Sequence, residues 1–181
     1  MRLISSLILR LAGWTTVGGP PDGVKKAIFI TAPHTSNLDF FIGRMYGWKN
    51  QLPIKLLIKK EAFFWPFGGL LKKAGGIPVD RSKATNLVEQ VADIFNQYDN
   101  LYLAITPEGT RKRVNNWKKG FYYIAQRANV PIILSFLDYG NKRVGIGPVL
   151  ETTGDFEKDF KKIEDFYRGM KGRHPEKFNL S

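Results

Sequence analysis

Short apolar runs alternate with amphipathic stretches along most of the chain, and this alternation limits the fold more than any other feature. The runs at 27–32, 54–58, 76–79, 101–106, 131–136 and 144–147 are rich in Ile, Leu, Val and Phe and are read as strands. Between them, 38–48, 62–74, 85–98 and 118–129 carry apolar residues at helical spacing. A last amphipathic helix uses Phe156, Phe160, Ile163, Phe166, Tyr167 and Met170. Strands that alternate with helices pair in parallel through crossovers, so the expectation is an α/β, single-domain sandwich around a largely parallel central sheet. With 181 residues and 43% hydrophobic content, the chain is long enough for one core of that kind. No repeat or low-complexity tract interrupts it. The one clear break, Gly18-Gly19-Pro20-Pro21-Asp22-Gly23, divides residues 1–23 from a body at 24–181.

The segment before that break has its own pattern. Leu3, Ile4, Leu7, Ile8, Leu11 and Trp14 recur at helical spacing, with Arg2, Ser5, Ser6 and Arg10 mostly on other faces. The run is much shorter than the roughly 20 residues that span a bilayer and lacks a small-residue cleavage site, so neither a spanning helix nor a signal peptide is expected. By itself an amphipathic helix of this kind reads first as a layer over the protein's own core and second as a membrane-interface element. Lys55, Lys59, Lys60, Lys72 and Lys73 flank the apolar Phe63-Phe64-Trp65-Pro66-Phe67, and aromatic groups beside lysines suit a headgroup region.

The net charge of +12 calls for an anionic partner, whether phosphorylated substrate, anionic lipid or nucleic acid. There is no cysteine, which removes disulfides, thiolate nucleophiles and cysteine-based zinc sites. With two histidines, a histidine-rich metal site is also disfavoured, and no metal or cofactor is expected.

One of those histidines is His34, five positions before Asp39 and just after the first strand of the body. An imidazole takes a proton near cellular pH, and a neighbouring carboxylate fixes its tautomer and stabilises the imidazolium. The pair therefore reads as a general base with its orienter. From this stretch alone, a helix cap by Asn37 or Asp39 with His34 as a loop residue explains the spacing as well. His174, in a polar C-terminal tail, is read as a surface residue.

In open α/β sheets chemistry gathers at the carboxyl ends of strands. Two further motifs fall there. Gly75-Gly76-Ile77-Pro78-Val79-Asp80-Arg81 delivers Arg81 at a strand end, and Pro107-Glu108-Gly109-Thr110-Arg111 follows the apolar 101–105. Two guanidinium forks, a hydroxyl and a glycine turn can cradle a phosphate. Each also has a plainer role, with Arg81 a solvated strand end, Glu108 and Arg111 a salt bridge, and Gly109 a turn residue.

Taken in order, these blocks resemble the glycerophospholipid acyltransferase family. His34 with Asp39 matches its first block, Gly76 to Arg81 its second, Pro107 to Arg111 its third, and Val130-Pro131-Ile132-Ile133 its fourth, with Lys118-Lys119-Gly120 before the next helix. The resemblance runs from about residue 27 to 150. It implies transfer of a fatty acyl group from a thioester, on coenzyme A or acyl carrier protein, to a lysophospholipid hydroxyl. 1-Acylglycerol-3-phosphate is the first choice of acceptor. His34 would act as base and Asp39 would hold it, while Arg81, Glu108, Gly109, Thr110 and Arg111 would hold the acceptor, and amides around Gly109 are one candidate for the oxyanion. No glycine-x-serine-x-glycine elbow is present, in keeping with direct attack. Lys112-Arg113 and Thr106 depart from the family pattern, which bears on the acceptor. The expected setting is peripheral, on the anionic cytoplasmic face of the cell membrane.

Two readings from other classes stand beside it. A basic nucleic-acid-binding module would use the charge and the 13% aromatic content, but no nucleic-acid motif is found and none is expected to bind. A non-catalytic lipid-binding protein would keep the fold, against which the intact His34 and Asp39 argue.

Overall fold

The computed structural model describes residues 1–80 and 87–180. Among these residues the strands are β1 (Thr15–Val17), β2 (Lys26–Ala32), β3 (Ile54–Lys59), β4 (Gly76–Val79), β5 (Leu101–Ile105), β6 (Ile132–Asp138) and β7 (Arg143–Leu150). They form one sheet ordered β1-β7-β6-β2-β5-β3-β4. β6, β2, β5, β3 and β4 are parallel, β7 turns back antiparallel to β6, and β1 pairs in parallel with β7. The helices are α1 (Arg2–Leu11), α2 (Leu38–Lys49), α3 (Phe67–Lys73), α4 (Leu87–Ile94), α5 (Gly120–Ala128) and α6 (Phe156–Tyr167).

Two-residue alternation along each strand sorts the apolar side chains into two cores. Ala27 and Phe29 of β2 join Tyr102, Ile133, Tyr46 and Leu9 on the face covered by α1 and α2. Ile28 and Ile30 join Leu101, Leu103, Phe121 and Ile163 on the face covered by α4, α5 and α6. α1 is built into this body: Ser5 and Leu9 are buried, and Trp14, just beyond the helix, is 9% exposed. No helix among the described residues is long and apolar enough to cross a membrane.

Three elements differ from the sequence expectation. β1 lies within the segment read as helix and break, and its three residues gain strand geometry only by pairing with β7. The helix expected over 62–74 is a 3₁₀ turn at Lys60–Ala62 and then α3, because Pro66 disfavours helical geometry at the residue before it. The helix expected over 85–98 is seen from Leu87 and tightens to a 3₁₀ turn at Phe95–Gln97, its first two residues lying outside the described set.

Candidate active site

The loop after β2 carries His34, and the first turn of α2 turns Asp39 back over it. His34 Nδ1 lies 3.1 Å from Asp39 Oδ2, which also accepts the Thr35 and Ser36 backbone N–H groups, both at 2.9 Å. Asp39 Oδ1 accepts the Tyr139 hydroxyl at 2.7 Å. Burial alone would raise the pKa of this carboxyl, but the donors from His34, Tyr139 and Ser36 outweigh it and hold Asp39 below the usual carboxylate range. An ionised carboxylate only accepts, so the imidazole proton belongs on Nδ1 and Nε2 carries the lone pair. The Asn37 side chain makes no capping bond, and the Asp39 carboxylate serves the loop and the imidazole.

Glu108 lies beneath the same loop. Its Oε1 accepts the His34 backbone N–H at 2.7 Å, and its Oε2 is buried without a partner among the described residues. Burial pushes this carboxyl up to about 8, helped by the nearby Asp39 charge and opposed by the His34 amide. Two carboxyls that share one loop are thus driven apart, Asp39 ionised and Glu108 protonated at neutral pH.

A cavity of about 830 Å³ opens beside the pair and straddles the edge of the sheet. Phe29, Ile54 and Ala104 line it from the α2 face, and Leu57, Val79 and Phe121 from the α5 face. α2 contributes Gly43 and Gly47, four residues apart, and a Cβ on Gly43 would meet nothing within 4 Å. Arg44 is held in the wall by bonds from Nη2 to the Ala74 carbonyl (2.7 Å) and from Nη1 to that of Ile54 (3.2 Å). Thr31, His34, Asn37, Asp39, Thr106, Arg111 and Lys118, with Arg44, supply the polar side chains of the lining, and Gly109 lies among them.

The motif residues therefore have distinct places. His34, Asp39, Gly109 and Arg111 meet at the cavity, while Glu108 is turned inward and is not among its lining residues. Glu108 is 2% exposed, and its Oε1 holds the His34 amide. Thr110 is exposed and its hydroxyl accepts the Lys112 N–H at 3.3 Å. Gly109, at φ +69°, gives its own N–H to the Thr106 carbonyl (3.0 Å), which occupies that amide as an oxyanion donor. Arg81 lies outside the described residues. The cavity also takes in Lys118, and Tyr139 joins the site through Asp39. Lys118 stands in the Lys118-Lys119-Gly120 run of the resemblance, whereas nothing local marks Tyr139.

The C-terminal segment closes over the back of the loop. His174, whose side chain is 43% exposed, gives its backbone N–H to Thr35 Oγ1 at 3.1 Å. Gly172 is packed so closely that a Cβ there would lie 2.6 Å from Thr35 Oγ1 and 2.7 Å from its Cγ2. Thr35 is 2% exposed and has nowhere to swing. Gly172→Ala is expected to lower stability by about 1–3 kcal/mol and to reduce kcat by displacing the loop. Thermal unfolding and steady-state rates check this, and unchanged values for both would show that the segment yields freely.

A His–Asp pair thus stands at the carboxyl edge of a largely parallel sheet, beside a mainly apolar cavity whose lining includes Arg44, Arg111 and Lys118. Residues 17–134 match the Acyltransferase family, and the chain belongs to it. It is 32% identical over 124 residues to a 1-acyl-sn-glycerol-3-phosphate acyltransferase of Cocos nucifera, covering 65% of this chain and 39% of that protein. It is 31% identical over 142 residues to a probable 1-acyl-sn-glycerol-3-phosphate acyltransferase of Mycoplasma pneumoniae, covering 73% and 52%. The chain thus spans about half the length, or less, of these curated relatives. The crystal structure of the 1-acyl-sn-glycerophosphate acyltransferase from Thermotoga maritima shares the fold, with a TM-score of 0.61, 15% identity, and coverage of 93% of this chain and 76% of that one.

Proposed function

We propose that this protein transfers a fatty acyl group from a thioester, on coenzyme A or acyl carrier protein, to a hydroxyl of a lysophospholipid, with 1-acylglycerol-3-phosphate as the first acceptor. The observation that carries the reading is the His34–Asp39 pair in the lining of a mainly apolar cavity that Arg111 and Lys118 also line. His34 Nε2 takes the proton of the acceptor hydroxyl as its oxygen attacks the thioester carbonyl. Asp39 steadies the imidazolium. The tetrahedral intermediate collapses, the C–S bond breaks, and the departing sulfur takes the proton back from His34. Arg111, and on its motif Arg81, grip the acceptor's phosphate, with Gly109 and Thr110 beside them. Glu108 supports the His34 backbone.

The exposed apolar side chains fit delivery from a membrane. Leu3 is 83% exposed, Leu11 79% and Trp65 91%, and Phe40 and Phe41 at the cavity are also exposed. Residues 1–23 then carry a membrane-contacting helix on an acyltransferase body at 24–181, attached peripherally to the anionic cytoplasmic leaflet. Because Leu9 and Trp14 belong to the core, surface substitution tests this better than deletion does. Leu3→Glu, Leu7→Glu and Leu11→Glu together are expected to weaken sedimentation with anionic liposomes at least about tenfold, since each buried leucine contributes about 1.5–3 kcal/mol. Undiminished sedimentation would rule out attachment through α1.

The function is tested by acyl transfer from a labelled thioester into a panel of lysolipids, comparing the wild type with His34→Ala. Turnover by the wild type alone supports the reading. No turnover with any lysolipid, or equal turnover by both proteins, overturns it.

A further inference from the structure

Asp39 has two carboxylate oxygens, and they are used differently. Oδ2 meets the His34 ring and the amides of Thr35 and Ser36, and Oδ1 takes the Tyr139 hydroxyl at 2.7 Å. Tyr139 follows the last residue of β6, a hundred positions from Asp39. It is fixed from two other directions. Its ring packs edge-on to Trp14 with centroids 4.9 Å apart at 86°, and its N–H bonds to the Lys171 carbonyl at 2.8 Å. On the other side of that strap, the Lys171 N–H reaches Asp138 Oδ1 at 3.3 Å.

We propose that Tyr139 is a positioning residue for the catalytic pair: its hydroxyl anchors Asp39 Oδ1, so that Oδ2 stays aimed at His34 Nδ1 and Nε2 stays free to accept the substrate proton. A carboxylate on a short stem can rotate about its last torsion, whose preferences are broad. The bonds on Oδ2 hold one end of the carboxylate, and a donor on Oδ1 fixes its plane from the other end. Burial and the Asp39 charge both raise the Tyr139 pKa, so the phenol stays a donor across the working range of pH. The assignment rests on the general-base reading of His34, but part of its test needs no substrate.

Tyr139→Phe removes one oxygen and keeps the ring against Trp14. With palmitoyl-coenzyme A and lysophosphatidic acid as substrates, kcat is expected to fall about tenfold, the worth of one hydrogen bond to a charged acceptor, and both KM values to stay within about twofold. In an Asp39→Asn background the same change is expected to cost less than about twofold, since residues acting through one another are not additive. In the unliganded protein, nitrogen NMR of the imidazoles, assigned with His34→Ala, is expected to show His34 protonated on Nδ1 in the wild type and as a mixture of tautomers in Tyr139→Phe. An unchanged kcat, a full tenfold loss repeated in the Asp39→Asn background, or an unchanged tautomer overturns the assignment. If the wild type acylates neither this acceptor nor any other lysolipid, the acyl-transfer reading fails by itself, and the tautomer comparison still decides the role of the tyrosine.

Discussion

Replacing His34 with alanine is expected to lower kcat for acyl transfer by roughly 10²–10⁴-fold, the range for removal of a positioned general base. The loss should be large because nothing nearby can substitute. Among the described residues no other histidine lines the cavity, and the chain has no cysteine. Asp39 would remain in the cavity lining, but a carboxyl held below its ordinary pKa is a poor base for an alcohol. Glu108 faces away and keeps its proton at neutral pH. Asp39→Asn should fall in a similar range for a different reason. A carboxamide can turn its NH₂ group towards Nδ1, which moves the imidazole proton to Nε2 and removes the lone pair the reaction needs. The two variants separate by folding: among the described residues the His34 side chain makes one bond, to Asp39, whereas Asp39 accepts four donors, so the alanine variant should lose less of its unfolding temperature than the asparagine variant. Steady-state kinetics and thermal unfolding on the same preparations check both statements, and an alanine variant retaining more than about a tenth of wild-type kcat would remove His34 from the chemistry.

What the sequence made legible is what neighbours in the chain decide. The strand, turn and helix from Lys26 to Lys49 carry His34 and Asp39 within one local unit, so spacing alone brought them within reach. The same holds for Pro107 to Arg111, where a glycine turn follows an apolar strand. Partners set by long-range packing left no such trace. Tyr139 reaches Asp39 only because β6 lies beside β2 in the sheet, and Gly172 meets Thr35 only because α6 returns the chain across the loop. The burial of Glu108 could not be read either: a glutamate in a motif with glycine, threonine and arginine carries no sign of its depth, and its bond to the His34 amide depends on β5 lying beside β2. β1 was missed because three residues carry too little pattern to register, and their strand geometry comes from β7.

Glu108 gives the second large expectation, a stability that declines as pH rises. Its carboxyl titrates at about 8 in the folded protein against an ordinary value of 4.5, with burial as the main cause. Between those values the unfolded chain has released the proton and the folded chain still holds it, so the slope of unfolding free energy with pH is negative. The contribution is complete below about 4.5, declines with rising pH, and is gone once the pH passes through about 8. Integrated over that window, the difference amounts to roughly 3–5 kcal/mol. Asp39 works in the opposite direction and elsewhere: its carboxyl is lowered, so its stabilisation is present above the unfolded value of 3.8 and is lost only as pH falls through the folded one. The two windows do not overlap, which lets one substitution isolate Glu108. Glu108→Gln keeps an oxygen for the His34 N–H and has no proton to lose. Its unfolding free energy should therefore lack the decline, and above about pH 8 it should exceed the wild type's by an amount of that order. Urea unfolding at a series of pH values from about 5 to about 9 makes the comparison directly. Profiles that run parallel across that range would mean that Glu108 is already ionised in the folded protein, and its buried Oε2 would then need a cationic partner, which the described residues do not supply.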